Sequence, residues 1–354
     1  MKVLVIGGTG YIGTRLMALM QARTDCTPIA ASRGAGGAGG EDGPGLRLDT
    51  RDEAALTQAL RGVDAVVNCV AGSAPAIAAG AWALARAARA ARVPVVVHVS
   101  SMAVYGDRQG PVTEASPWGR PLGWYARAKQ DAERALRTLA HTVEGSTPVT
   151  RLTVLRPGCV WGPGSALWVG RIARWLAQGR LGDVGEWGDG WTHGVTVDDV
   201  CQAIWHAIWQ ALQTPGDDTA SGAVRTFNLA APDSPRWNDW FTDLALALGH
   251  IPVRRIRPLQ LRADAWVLGP PLHVARTLMA RAGLAHRWPE PISPGLLRLW
   301  SSTLRMNARA AGRELKVDWT PYPEALRQCV AWLSADPVST GGARPEVPAA
   351  ARVR

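Results

Sequence analysis

The chain has 354 residues and a net charge of +10, with 47% hydrophobic and 19% charged residues. That length holds one large domain or two smaller ones, and the absence of any apolar run of about 18 residues argues against a membrane span. The basic excess is nearly all arginine and is scattered, with no dense block and no aromatic-interleaved basic motif, which argues against a nucleic-acid partner.

The N-terminal stretch "KVLVIGG" is a short β-branched run ended by glycine and predicts a buried parallel strand. It lacks a small-residue cleavage site, so it does not read as a signal peptide. "YIGTRLMALMQAR" follows with helical spacing of Ile12, Leu16, Leu19 and Met20. "TPIAAS" predicts a second strand, "DEAALTQALRG" a helix ending at Gly62, and "DAVVNCVA" a third strand. "AIAAGAWALARAARAARV" predicts a long helix and "PVVVHVSS" a fourth strand. "YARAKQDAERALRTLA" is helical, "RLTVLRPG" a strand, "TVDDVCQAIWHAIWQAL" a helix and "RTFNLAA" a late strand. This alternation predicts an α/β fold with a doubly wound parallel sheet and a smaller, mostly C-terminal substrate domain. The expected divisions are a Rossmann domain over 1–163, a substrate-domain segment over 164–194, a return over 195–230, a substrate domain over 231–335 and a disordered tail over 336–354.

Five isolated cysteines, none in a CxxC pair, suit reduced thiols in a cytoplasmic protein, and no metal-ligand cluster emerges among the seven histidines.

"GGTGYIG" places Gly7, Gly10 and Gly13 between the first predicted strand and the first predicted helix. In that context glycines let the backbone approach a pyrophosphate at a helix N-terminus, where free N–H groups and the dipole favour anions. Thr9, Tyr11 and Ile12 in the same turn, and Ala71 closing a later strand, are assigned to the same site. An acidic residue at the end of the second strand ordinarily holds the ribose of NAD. Here Ser32 and Arg33 stand there, and a hydroxyl with a guanidinium suits a 2′-phosphate, which favours NADP. Glu41 or Asp42, folding back, would instead suit NAD. Asp49 reads equally as a partner for the adenine amino group or as a helix N-terminal acid, and Asp64 reads as a strand-start residue.

Lysine occurs only at positions 2, 129 and 316, yet Lys129 lies four residues after Tyr125 on a predicted helix. Both side chains then share one face. A nearby ammonium favours the phenolate and lowers the tyrosine pKa, and a tyrosine so tuned exchanges a proton with an alcohol oxygen while hydride moves at carbon. Ser100 and Ser101 end the fourth strand, where such sheets hold ligands, and either hydroxyl suits the substrate oxygen.

The motifs "GGTGYIG", "SSMAVYG", "YARAK", "LRPGCVWGPG", "VTVDDV" and "TFNLAA", in that order, resemble the extended short-chain dehydrogenase/reductase superfamily, also called NAD-dependent epimerase/dehydratases. The resemblance covers roughly residues 2–230. It implies that Ser101 is catalytic, that Tyr125 is the acid/base, that Lys129 orients ribose and tunes Tyr125, and that Pro157 to Val160 line the nicotinamide. It also implies a homodimer paired through the helices around 78–92 and 125–140.

Departures from the family pattern bear on the reaction. Met102 and Ala103 stand where sugar dehydratases carry Asp-Glu, Cys159 replaces an asparagine that contacts the diphosphate, and Trp161 replaces a tyrosine. These changes favour a plain carbonyl reductase or alcohol dehydrogenase similar to the hydroxysteroid-dehydrogenase-like branch, acting on a small apolar substrate. A nucleotide-sugar epimerase and a non-catalytic dinucleotide-binding regulator are the alternatives. Met102, Trp161, Trp191 and His193 are the further substrate-side residues, and Trp168, Trp175 and Trp187 join Trp161 and Trp191 either as walls of an apolar pocket or as core.

Overall fold

A run of β-branched residues without polar interruption builds each central strand, because a parallel sheet covered on both faces buries every position. In the computed structural model, which describes residues 1–34, 45–140, 150–213, 224–280 and 289–335, the first such strand is β1 (Lys2–Ile6). It leads through a glycine turn into α1 (Tyr11–Gln21). The chain continues through β2 (Thr27–Ser32), β3 (Gly45–Arg47), α2 (Glu53–Ala59), β4 (Ala65–Asn68), α3 (Ala74–Ala90) and β5 (Val95–Val99). Next come a short β6 (Pro111–Val112), α4 (Trp124–Arg137), β7 (Arg151–Pro157), β8 (Val160–Trp161), α5 (Arg171–Ala177), β9 (Val195–Thr196), α6 (Val197–Gln213) and β10 (Val224–Leu229). Seven strands form one sheet in the order β10-β7-β5-β4-β1-β2-β3, and every pairing in it is parallel. The doubly wound sheet expected from the sequence is therefore present. Its strand order reverses between β1 and β4, where Ile6 lies beside Asn68, and such a switch point is where open α/β sheets bind ligands.

β3 is absent from the sequence-based reading. It is three residues long and exposed throughout, so it carries no apolar signature. The proposed fold-back of Glu41 or Asp42 and the tail over 336–354 lie outside the described residues.

The described residues form two compact units. The first comprises Met1–Gly158, Val195–Pro232 and Met306–Trp319, and it contains the seven-stranded sheet. Residues 306–319, assigned from sequence to the substrate domain, thus return to the first unit, and the first crossing falls at Gly158 rather than after 163. Within it, α11 (Arg309–Glu314) packs on β10, and the imidazole Nδ1 of His206 lies 2.6 Å from the Leu315 carbonyl. The second unit comprises Cys159–Gly194, Asp233–Arg305 and the chain from Thr320. Its helices are α5, α7 (Trp237–Ala247), α8 (Pro258–Ala263), α9 (Gly269–Ala280), α10 (Pro294–Trp300) and α12 (Tyr322–Ala335). Its core is aromatic: Trp161, Trp175, Trp237, Trp240, Phe241 and Trp300 are fully buried. Trp161 lies 4.6 Å from Trp240, and Phe241 lies 5.0 Å from Trp300 in an edge-on arrangement, within the range of favourable ring pairs.

The first unit is pinned by a buried ion pair. Glu133 on α4 and Arg156 on β7 are 0% and 2% exposed and meet through two bonds of 2.9 and 2.7 Å. Removing one partner of such a pair strands a buried charge. Glu133→Ala is therefore expected to cost about 3–5 kcal/mol in urea denaturation, whereas Glu53→Ala, which breaks the exposed pair with Arg86, should cost less than about 1 kcal/mol.

His98 on β5 is 1% exposed, and among the described residues neither ring nitrogen has a hydrogen-bond partner. Burial, with Lys129 and Arg137 nearby, holds its pKa well below 6.5. The unfolded chain thus takes up a proton near pH 6.5 that the folded chain refuses, so this stability is present above that pH and lost below it. Each pH unit below about 6.5 should remove ~1.4 kcal/mol through this group. Urea titrations of His98→Leu between about pH 5 and 8 should show a slope shallower by close to one proton.

Candidate active site

The glycine turn after β1 is dictated by contact distances. Gly7 has φ +83°, and a Cβ on Gly13 would lie 2.1 Å from the Gly7 carbonyl oxygen. Only glycine at 13 lets α1 start this close to the strand. The turn closes through Gly10 N–H donating to the Gly7 carbonyl at 2.9 Å and Thr14 N–H to the Gly10 carbonyl at 2.8 Å. No side chain caps α1, and its first turn holds no acid. The first N–H groups of a helix have no intrahelical acceptor, so an uncapped start is a ready anion site.

A cavity of about 290 Å³ opens at this point. Gly7, Thr9, Gly10, Tyr11 and Ile12 line one side, Ser32 and Arg33 the end of β2, and Val70 and Ala71 the segment after β4. All of these except Val70 are residues assigned to a dinucleotide from the sequence, and Ile6, Ala31, Leu48, Thr50, Cys69 and Ala76 complete the wall. A bare glycine cradle, an uncapped helix start and a slot running to Ser32 and Arg33 fit a dinucleotide. Sequence reasoning missed Thr50, which meets α3 at Gly80, where a Cβ would come within 2.7 Å of its hydroxyl. Asp49 does not line the cavity. It is held by Arg51 through bonds of 2.7 and 3.1 Å, and that guanidinium draws its pKa down to about 2. Asp64 accepts the Lys2 N–H at 2.7 Å, at the opposite end of β1 from the glycines.

Beside this cavity stands α4. Its buried stripe repeats every four residues, carrying Lys129 and then Glu133. The Lys129 ammonium donates to the carbonyls of Val99 at 2.8 Å and Val70 at 3.2 Å. Because Val70 lines the cavity, the ammonium sits at its wall. Burial lowers the lysine pKa to about 8, with Cys69 and Glu133 opposing.

Tyr125 precedes Lys129 by one turn, and the ammonium lies 5.8 Å from its ring centre. The phenol departs from the sequence expectation. Burial raises its pKa, and hydrogen bonding with Ser101 opposes the rise. Two of the three Lys129 ammonium donors are engaged by backbone carbonyls.

The two serines separate. The Ser100 hydroxyl is buried and donates to Glu133 at 2.6 Å. Ser101 is half-buried, accepts the Ala103 N–H at 3.2 Å and bonds Tyr125. Met102 follows it, half-buried, in the single turn Met102–Tyr105. Gln130 anchors that turn to α4, donating to the carbonyls of Val104 at 2.8 Å and Gly119 at 2.9 Å. The chain then bends at Gly106, with φ +58°, where a Cβ would lie 2.2 Å from the Arg120 carbonyl.

A second buried layer supports the first. The Tyr105 hydroxyl donates to Asn228 at 2.6 Å and accepts from Arg156 at 3.0 Å. The Asn228 backbone N–H donates to the Glu114 carboxylate at 3.0 Å, and its side-chain amide donates to the Asn307 carbonyl at 2.9 Å. Pro157 is buried at the end of β7, beside Leu229.

Of the substrate-side tryptophans, Trp161 and Trp175 are core residues of the second unit, and Gly194 exists there to admit the Trp161 ring. Trp191 is half-buried between the guanidinium groups of Arg236 and Arg305, each 5.1 Å away. Trp168 and Trp187 are also half-buried. His193 is buried with φ +47°. Burial lowers its pKa to about 4, with the Leu304 backbone opposing. Val160 is half-buried, and its carbonyl accepts the Ser165 hydroxyl at 3.0 Å.

Comparison with known proteins bears on the fold and the family. Protein YeeZ of Escherichia coli K12 is 29% identical over 209 residues, a region covering 59% of this chain and 64% of that protein. Among solved structures, UDP-glucose 4-epimerase of Thermotoga maritima superposes with a TM-score of 0.68 at 17% identity, covering 94% of this chain and 98% of that one. DesIV of Streptomyces venezuelae, a dTDP-glucose 4,6-dehydratase with NAD bound, gives 0.67 at 20% identity, covering 96% and 98%. MoeE5, in complex with UDP-glucuronic acid and NAD, gives 0.66 at 19%, covering 94% and 98%. The structural likenesses establish the fold, and they do not show the hydroxysteroid-dehydrogenase-like branch expected from the sequence. The model of the NAD dependent epimerase/dehydratase family matches residues 3–219, and the chain belongs to that family.

Proposed function

We propose that the protein is an NADP-dependent carbonyl reductase or alcohol dehydrogenase acting on a small, apolar ketone or alcohol. The observation that carries this reading is the bond from Lys129 to Val70, which brings the Tyr125–Lys129 face to the wall of the dinucleotide cavity. A bound nicotinamide supplies or takes the hydride. Everything else falls to the chain. Ser101 hydrogen-bonds the substrate oxygen. Tyr125, whose pKa is raised, stands protonated at neutral pH and gives its proton to that oxygen during reduction. Lys129 holds the ribose and, when charged, stabilises the phenolate left behind. Solvent returns the proton to the half-exposed Tyr125.

The wall residues also support NADP. No carboxylate lines the cavity among the described residues, and Ser32 and Arg33 line it at the end of β2, the strand end that meets the ribose in folds of this kind. The chemistry next to Ser101 favours net redox over elimination, since Met102 and Ala103 supply neither acid nor base. One observation favours a second reading, a nucleotide-sugar epimerase: similar folds have been solved with UDP-sugars and NAD. Pairing of α3 and α4 across a two-fold axis belongs to the same proposal.

An NADPH-oxidation screen over ketones, aldehydes and sugar nucleotides separates the two readings. Stoichiometric NADPH loss with a ketone or aldehyde supports the reductase, and epimer formation without net loss supports the alternative. Tyr125→Phe should lower turnover by about a hundredfold or more while cofactor titration stays normal. Near-normal turnover would remove Tyr125 from the chemistry.

Cofactor preference gives a separate test. Arg33 can form a charge-assisted pair with a phosphate, so NADPH should bind roughly ten- to a hundredfold tighter than NADH. Most of that ratio should vanish in Arg33→Ala, read by tryptophan fluorescence. Equal affinities in the parent would return the assignment to NAD.

A further inference from the structure

In the second unit, α8, the wide turn Asp264–Leu268 and α9 run without interruption from Pro258 to Ala280. At ~1.5 Å per residue this is about 34 Å of helix. One face is seated in the unit: Leu261, Asp264, Ala265 and Gly269 are buried, and Arg180 grips Asp264 at 3.0 Å. The opposite face is also apolar. Leu259, Trp266, Val267, Val274 and Leu278 recur at helical spacing and are all exposed, Leu259 by 78% and Val267 by 66%. Ile251, just upstream, is 72% exposed. A soluble helix ordinarily turns such a stripe inward, and a contiguous exposed stripe marks an interaction site.

The charges around the stripe are of one sign. Arg254, Arg255, Arg257 and Arg262 are exposed, and none of the four has an ion-pair partner among the described residues. Asp264 is the only acid between Ile251 and Ala280, and it is buried against Arg180. Between Ile251 and Ala280 the exposed side chains therefore include apolar groups and guanidinium groups and no carboxylate.

We propose that this helix docks in the plane of an anionic lipid surface, its stripe entering the headgroup boundary and its arginines meeting lipid phosphates. An in-plane helix of this kind combines an apolar face with basic flanks and an aromatic residue at the interface. A second copy of the chain fits less well, because a two-fold contact places the same patch on both sides and would set these arginines against each other. An acidic peptide seeks a groove, whereas these side chains, exposed by half to more than three-quarters, stand proud as a ridge. The inference does not depend on the reaction proposed above.

The test is flotation of the purified full chain with vesicles of phosphatidylcholine alone or mixed with phosphatidylglycerol. Binding is expected to the mixed vesicles. The triple variant L259E/V267E/L278E should lower the bound fraction about tenfold or more. The quadruple variant R254Q/R255Q/R257Q/R262Q should abolish the preference for phosphatidylglycerol. All these positions are exposed, so circular dichroism and the thermal midpoint should match the parent and separate lost docking from lost fold. A parent that fails to float with anionic vesicles, or a triple variant that floats like the parent, overturns the proposal. A parent dimer that the triple variant converts to monomer, without vesicle binding, overturns it in favour of a second copy.

Discussion

The carboxylate of Glu133 is the constraint on which the active-site half of the first unit depends. It is fully buried and accepts from Arg156 on β7, from Ser100 at the end of β5, and from Arg137 one turn further along α4. Any rotation of α4 would withdraw it from Arg156 and Ser100 at once. Since Lys129 and Tyr125 lie on the same helix at earlier turns, fixing the phase of Glu133 fixes theirs. A buried charge pair often contributes little net stability, because desolvation offsets the attraction. Its value here is geometric: it converts a generic alanine-rich helix into one with a single permitted rotation.

The cavity side is fixed by a different kind of force. Between β1 and α1 the constraints are steric, with backbone approaching backbone at Gly13 at a distance no side chain tolerates and Gly7 held at positive φ. Nothing acidic or polar caps α1, so its positive end stays available to an anion. Steric constraint on one wall and buried charge on the other meet at Val70, whose carbonyl receives Lys129 and whose residue lines the slot.

These two kinds of constraint differ in how they appear in the sequence. Glycine at 7, 10 and 13 is a local signature, as is a rare lysine four residues after a tyrosine, so strands, cavity wall and Tyr125–Lys129 face were legible. β3 was not, because an exposed three-residue edge strand leaves no hydrophobic period. The roles of Ser100 and Ser101 were not separable either: the partner that distinguishes them, Glu133, lies 33 residues away in the chain. The direction of the Tyr125 shift was missed for a related reason, since spacing shows that the lysine is near but not that two carbonyls already hold it. Trp161 and Trp175 were ambiguous between pocket wall and core, and only three-dimensional packing places them among Trp240, Trp237 and Trp300.

The helix from Pro258 to Ala280 illustrates the same limit from the other direction. Searching for a long apolar run tests for a crossing, and no described helix is long and apolar enough to cross a membrane. A helix that lies in an interface needs only a stripe, and arginines and prolines interrupt the run that a window would count. Here both faces carry apolar residues, at positions 261, 265 and 269 on one side and 259, 267 and 278 on the other. In the sequence these interleave, so neither stripe stands out from the other. Only the structure shows which of the two stripes is occupied, and so which one is left for a partner.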